Sequence, residues 1–349
     1  MGLRSRVQCV FNVRRVLSEL PRSGGVEIGH STLRCSARTK PETVSDQDFR
    51  CIPSVGFLAS AMMKTAATTL LSPDQVEQFN QDGYLHARGF YDCATEIEPI
   101  QSAIYQIIGL VIEQHRLAIA RPPFTPEKFD AGFNEIIRID RRLGAVVYDA
   151  VKQIPDFIRL TASPKHDLVL RELRGSALPG VAAAGNGIRI DNPAEDKFKA
   201  VWHQDYLYNL RSLDGLVFWA PLVKVTPDLG QLILAKGSHK AGPKRIVVND
   251  GKTAGKPGAY AWHLEHEQDV VGHFPHFQCE TVPGDLLILD YLTLHASGTN
   301  VSQRSRWTMQ MRYFNFCNEQ GRRIDWSGGV NSGARLKDVH PELVVELTG

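Results

Sequence analysis

No stretch of the 349-residue chain approaches the roughly 18 consecutive apolar residues that a spanning helix needs. The apolar stretch at residues 7–13 is broken by Gln8 and Asn12, which makes a poor core for an export signal. The six cysteines, Cys9, Cys35, Cys51, Cys93, Cys279 and Cys317, form neither C-x-x-C pairs nor a compact framework. That argues against a zinc ribbon or a disulfide scaffold and fits a reducing compartment. A strong charge of one sign is also missing: the formal net charge is +2, with 22% of residues charged. Neither nucleic acid nor an anionic membrane is therefore indicated as a partner. The chain closes on Glu346-Leu347-Thr348-Gly349 rather than on a Ser-Lys-Leu peroxisomal address, and it contains no internal repeat. A cytoplasmic protein acting on a small molecule is the expectation.

The basic residues that are present gather at the start. Residues 1–40 hold eight Arg or Lys against Glu19 and Glu27, a surplus of six, so the remainder carries about minus four of the net +2. This segment lacks sustained periodicity and runs into Met62-Met63. Residues 1–61 read as a disordered leader, an organellar transit peptide or a stretch upstream of the natural start, with one domain over 62–349.

Within that domain, residues 72–185 read as mainly helical. Ser72-Pro73-Asp74-Gln75 combines a capping serine, a proline at the first helical position and a glutamine that completes a capping box, and Gly83 ends the helix. A strand is expected over 84–90. Ile97, Ile100, Ile104, Ile107, Ile108, Val111 and Ile112 then recur at three- and four-residue steps, the pattern of an amphipathic helix. A further helix is expected over 143–154, stopped by Pro155. From about 186 to 320 the texture changes to short β-type runs at 188–190, 200–208, 216–225, 231–235, 278–282, 285–290 and 307–316. No helix-length segments alternate with them, which favours an antiparallel sandwich or barrel, a jelly roll buttressed by helices, over a parallel sheet. The long connection 236–278, rich in Gly, Lys and His, has the character of a binding loop or lid.

Two potential metal ligands stand one residue apart in Trp202-His203-Gln204-Asp205. On a strand, that spacing puts an imidazole and a carboxylate on one face. A third candidate, His295, follows the apolar run 286–289, and a jelly roll can bring such a late strand beside the early one. Two histidines and one carboxylate leave three metal positions open, the arrangement by which non-haem iron(II) oxygenases hold a chelating cosubstrate together with O2. Such an enzyme also needs a cation for the far carboxylate of a 2-oxo acid. Arg306 suits this role, because a planar guanidinium grips a carboxylate with two parallel hydrogen bonds. In the run 306–313, Arg306, Thr308, Gln310 and Arg312 form a polar face opposite Trp307, Met309, Met311 and Tyr313. A lone His-x-Asp pair is more often an ordinary polar strand face, and an isolated strand arginine is more often solvated.

The ordered set Trp202-His203-Gln204-Asp205, Phe218-Trp219-Ala220-Pro221-Leu222, Lys236-Gly237-Ser238-His239-Lys240, Pro283-Gly284-Asp285 and His295-x-Ser297-x-x-Asn300-x-Ser302-x-x-x-Arg306 resembles the phytanoyl-CoA dioxygenase family of iron(II)- and 2-oxoglutarate-dependent oxygenases. The resemblance covers residues 202–306, with a similar helical opening from Ser72-Pro73 through Asp82-Gly83-Tyr84. It implies a mainly β fold with flanking helices around a double-stranded β-helix, a cupin-like jelly roll. It implies iron(II) held by His203, Asp205 and His295, and 2-oxoglutarate held by Arg306 with Ser297 and Trp219. It also implies consumption of O2, support by ascorbate, and hydroxylation of a small molecule with release of succinate and CO2. Asp205 matters here, because halogenating relatives carry a small residue in its place. Asp228-Leu229-Gly230 and Ala235-Lys236-Gly237-Ser238 depart from the commoner Glu-Asn-Gly and Pro-Gly-Ser, which bears on substrate more than on reaction class.

Competing readings are a catalytically silent jelly-roll protein that binds a small ligand, and an oxygenase that desaturates, epimerises or closes a ring. His263, His266, His273 and His276 form the densest histidine cluster, but without an H-E-x-x-H pattern they read as loop residues. His239 reads as structural, and Tyr206 and Tyr208 as packing residues opposite His203 and Asp205. Lys236, Lys240, Lys244 and Arg245 would suit an anionic group.

Overall fold

The computed structural model describes residues 69–175, 177–182, 185–195, 198–248, 262–328 and 335–346. The expectations for residues 1–61, and the central part of the long connection, lie outside the described residues.

Helix α1 (Pro73–Asp82) begins as the sequence dictates: Ser72 Oγ accepts the Gln75 backbone N–H, the Gln75 side chain accepts the Ser72 N–H, and Gly83 caps the end at φ 77°. Strand β1 (Tyr84–Ala87) follows. A π-turn, Cys93–Ile97, leads into α2 (Glu98–Gln114), which buries Ile100, Ile104, Ile108 and Val111, with Ile97 buried just ahead of it. Each such burial contributes roughly 1.5–3 kcal/mol. Helices α3 (Phe133–Ile139) and α4 (Arg141–Ala150) come next, and a 3-10 turn, Val151–Gln153, stops before Pro155, as expected. The sequence reading left out α3, α5 (Pro155–Thr161) and α6 (Pro164–Arg174), although the last two open with proline at the first helical position.

The remaining strands are β2 (Pro179–Val181), β3 (Gly187–Asp191), β4 (Leu216–Pro221), β5 (Leu232–Ala235), β6 (Ile246–Val248), β7 (His263–Leu264), β8 (His276–Phe277), β9 (Leu286–Asp290), β10 (His295–Ser297), β11 (Arg306–Asn315) and β12 (Val344–Glu346). Three short helices join them: α7 (Glu267–Gly272), α8 (Glu319–Arg323) and α9 (Leu336–Val339). The main sheet runs β1-β9-β4-β11, and the far edge of β11 is shared by β3 along its first half and β2 along its last. All its pairings are antiparallel. A second sheet, β10-β5-β8, is also antiparallel, and β12-β6-β7 forms a third with one parallel pairing. The result is the mainly antiparallel, helix-flanked jelly-roll body expected, and the described strands do not close into a barrel. Strands β1 and β2, from the helix-rich part of the chain, hydrogen-bond into the same sheet as the later strands.

The two faces of the main sheet do different things. On β11, Trp307 packs edge-on against Phe129 and Phe133, and Tyr313 packs against Phe218 and His166, so odd positions meet the helical layer. The even positions, Arg306, Thr308, Gln310 and Arg312, point toward the β10 sheet. Two expected strands are not formed. Residues 200–208 contribute a single bridge at His203 and then a 3-10 turn, Asp205–Tyr208, and 278–282 contribute one bridge, Thr281 to Val225.

Candidate metal and cosubstrate site

β10 is the scaffold of the site. One of its edges pairs with β5, and the other takes His203, whose N–H donates to His295 O (3.0 Å) while the His295 N–H donates back (3.1 Å). Residues that exchange both hydrogen bonds lie directly opposite each other and project to the same side. The two imidazole rings accordingly stand 4.2 Å apart. Asp205 joins them from the first residue of the 3-10 turn rather than from the next strand position; the proximity is as expected, but a turn supplies it. One ligand atom from each of His203, Asp205 and His295 lies within 4.8 Å of the others, the sole such group among the described residues.

Hydrogen bonding fixes what these groups offer. His203 Nδ1 lies 2.7 Å from Val201 O and His295 Nδ1 lies 2.9 Å from Thr293 O. A carbonyl only accepts, so each Nδ1 carries a proton, which leaves Nε2 as the ring nitrogen able to ligate a metal. Asp205 Oδ1 accepts from Arg312 Nε at 2.5 Å, whereas buried Oδ2 has no hydrogen-bond partner and lies 3.2 Å from His295 Nε2. Buried acceptor and imidazole nitrogens gathered this closely are suited to a shared cation. The donor set, two imidazole nitrogens and one carboxylate oxygen, fits a divalent transition metal with positions to spare. Burial pulls the His203 ring down to about 3; neighbouring His295 adds to this and Asp205 opposes it. For Asp205, burial pushes the carboxyl upward, but Arg312 and the two histidines outweigh it and hold the group far below the usual carboxylate range.

Two residues along β10, on the same face as His295, Ser297 Oγ accepts from Arg306 Nη2 at 2.9 Å. The same nitrogen donates to Asp191 Oδ2 at 2.7 Å, and Arg189 grips that carboxylate as well. Burial pushes Asp191 up, but the two arginines prevail and hold it below its ordinary value. Arg306 is 1% exposed, yet its Nε and Nη1 have no partner. Buried N–H groups of a cation are rarely left unsatisfied, and either of these could donate to a carboxylate. Trp219 lies opposite Gln310 and is buried, so it belongs to the face that carries Arg306 and Arg312.

The other expectations sort cleanly. Arg304 is engaged by Asp130, so of the three arginines near 306 only Arg306 and Arg312 face inward. His263 lies on β7 and His266 in a left-handed turn ahead of α7, so the pair shares no helical turn; His273 and His276 are tied to Asp269 O and Val271 O. His239 is structural, its Nε2 3.2 Å from Asn80 O. Lys236 and Arg245 pair with Asp82 and Glu265, which leaves a less basic loop than the sequence suggests. Tyr206 bonds His340, but Tyr208 is not opposite the site: its ring stands 6.0 Å from His203 and stacks on Trp262. Sequence reasoning missed Asp191 as the anchor of Arg306 and Arg312 as the partner of Asp205. The sole signal for either was the polar face of 306–312.

The family profile described as Phytanoyl-CoA dioxygenase (PhyH) matches residues 79–308. Among characterised proteins, 1-deoxypentalenic acid 11-beta-hydroxylase of Streptomyces exfoliatus is 26% identical over 229 residues, 64% of this chain and 73% of the hydroxylase. Similar solved structures include the epimerase SnoN in complex with Fe3+, alpha ketoglutarate and nogalamycin RO, 17% identical, covering 79% of this chain and 95% of that one at a TM-score of 0.43. Another is EctD from S. alaskensis with bound Fe, 16% identical, covering 70% and 77% at a TM-score of 0.43.

Proposed function

This chain belongs to the phytanoyl-CoA dioxygenase family of iron- and 2-oxoglutarate-dependent oxygenases, and from that premise we propose that it hydroxylates an aliphatic C–H bond of a small metabolite, converting 2-oxoglutarate and O2 to succinate and CO2. In this reading His203, Asp205 and His295 hold iron(II) through Nε2, Oδ2 and Nε2, and Arg306 holds the distal carboxylate of 2-oxoglutarate. Bound iron(II) supplies O2 activation coupled to decarboxylation of the 2-oxo acid. The chain's own part is positional. Val201 and Thr293 hold both Nδ1 protons, Asp191 and Ser297 position the Arg306 guanidinium, and Trp219 adds apolar surface to the face that carries it. Ascorbate would keep the metal reduced.

The observation that carries the proposal is the pairing of two unmet demands on one face. Ligand atoms of His203, Asp205 and His295 converge within 4.8 Å of one another, and two buried Arg306 N–H groups lack an acceptor. A metal answers the first and a dicarboxylic 2-oxo acid the second. Hydroxylation is favoured among oxidative outcomes by the retained carboxylate at Asp205 and by the activity named for the Streptomyces relative.

The test supplies iron(II), ascorbate and 2-oxoglutarate under 18O2 with a panel of small metabolites. One labelled oxygen in succinate and one in the product is the expected result. An unlabelled, desaturated or cyclised product would replace hydroxylation with another outcome. Protein that forms no succinate and binds neither iron nor 2-oxoglutarate would point to a silent ligand-binding module.

A further inference from the structure

Arg312 is spent within the site in a way that binding a cosubstrate does not require. Its Nε donates to Asp205 Oδ1 at 2.5 Å, Nη1 donates to Gly185 O, and Nη2 reaches Gln310 Oε1 at 3.3 Å. The backbone around it is held too: its N–H donates to Asn186 Oδ1 at 2.8 Å, and its carbonyl accepts from Ala182 N at 2.8 Å. A Cβ at Gly185 would come within 2.9 Å of Arg312 Cδ, so the approach of that segment depends on glycine. The guanidinium is thus pinned on three sides, with its Nε committed to one oxygen of a carboxylate whose other oxygen faces His295 Nε2 at 3.2 Å.

A carboxylate can give a metal one oxygen or two. With one, a site of two histidines and one carboxylate keeps three positions open, enough for a chelating 2-oxo acid and O2 together. With two, the chelate fills what is left. Resting on the function proposed above, we infer that Arg312 is a positioning residue that limits Asp205 to a single ligand oxygen, Oδ2, and so preserves the position that the 2-oxo acid chelate needs. A charge-assisted bond to Oδ1 suits this, being about twice as strong as a neutral one and directional through the rigid fork. Arg306 and Arg312 then divide the labour along one face of β11: the first receives the cosubstrate carboxylate, the second disciplines the protein's own.

The test uses full-length protein loaded with Co(II), which reports coordination through its visible absorption. Affinities for Co(II), and then for 2-oxoglutarate, are measured by calorimetry in wild type, Arg312→Gln and Arg312→Lys, with thermal unfolding of each metal-free protein as a check on folding. The expected result for Arg312→Gln is a split. Co(II) affinity stays within about threefold or rises, the Co(II) spectrum changes before any cosubstrate is added, and 2-oxoglutarate binding weakens about 10- to 100-fold, the range that outer-shell changes usually produce. Arg312→Lys, which still offers a cation to Oδ1, recovers most of that loss. Equal weakening of Co(II) and 2-oxoglutarate, or unchanged spectrum and affinities in Arg312→Gln, would overturn the inference. Wild type that fails to bind Co(II) at all would instead remove the oxygenase reading and the inference with it.

Discussion

Replacing Arg306 by lysine is the most instructive single perturbation. Alanine would be a poor choice, because Arg306 is buried and paired with Asp191, and deleting one partner of a buried ion pair destabilises by about 3–5 kcal/mol. Lysine keeps the charge near Asp191 and Ser297, and Arg189 still holds the Asp191 carboxylate. What lysine cannot do is keep its nitrogen beside Asp191 and Ser297 and also place a donor where Nε and Nη1 stand. In the native protein Nη2 is committed to Asp191 and Ser297 while Nε and Nη1, which point in different directions, are without a partner, so a bound carboxylate would gain one charge-assisted hydrogen bond from either. Such a bond is worth about 1.5–3 kcal/mol. Its loss therefore weakens 2-oxoglutarate by about 10- to 150-fold at 1.4 kcal/mol per factor of ten. Calorimetry on the metal-loaded protein reads this directly, and 2-oxobutyrate, which lacks the distal carboxylate, provides the control. Arg306→Lys should weaken 2-oxoglutarate and leave 2-oxobutyrate within about threefold of wild type. An unchanged 2-oxoglutarate affinity, or equal weakening of both acids, would refute the assignment of Arg306.

Gly83→Ala should destabilise the fold by about 2–4 kcal/mol, because φ is +77° and a Cβ would lie 2.4 Å from His239 Nδ1 and 2.5 Å from Thr293 Oγ1. Thermal unfolding should show a fall of about 5 °C or more, and a smaller shift would mean that the α1–β1 junction relaxes easily. Ser72→Ala removes the capping oxygen of α1 and should cost about 1 kcal/mol, read as a shift in urea midpoint without change of slope. Buried His166, pulled down to about 4 by burial, stays neutral in the fold, while the unfolded chain protonates near 6.5. Its contribution is whole above pH 6.5 and is lost as pH falls toward 4, because the unfolded state then binds the extra proton. His166→Gln, which can still accept from the Tyr91 hydroxyl, should narrow the stability gap between pH 4.5 and 7.5 in metal-free protein; an unchanged gap would count against this origin.

Local signals in the sequence were read correctly where local physics decides the outcome. The Ser72–Gln75 capping box, the Gly83 stop and the isoleucine stripe of α2 depend on neighbours within four residues, and each formed as expected. The region 200–208 shows where this fails. Val201, Trp202, Tyr206 and Tyr208 suit a strand, but β10, its partner, begins only at His295, and the Tyr206 N–H bonds instead to Tyr291 O, so the chain turns at Asp205. The triad stayed legible because its proximity tolerates either geometry. Asp191 and Arg312 were not, since their partners lie 115 and 107 positions away in sequence and register alone brings them together. Tyr208 reached the neighbourhood of His203 for the same reason that the strand failed: a 3-10 turn has no period of two.

The central claim, that His203, Asp205 and His295 form one metal centre on which a 2-oxo acid chelates within reach of Arg306, is tested most directly by anaerobic titration of the full-length protein with iron(II) and then 2-oxoglutarate. Chelation of iron(II) by a 2-oxo acid gives a visible charge-transfer absorption that neither component gives alone. The account predicts that band at one equivalent of iron in wild type and its loss in His203→Ala. A wild-type protein without the band, or a His203→Ala protein that keeps it, would contradict the account.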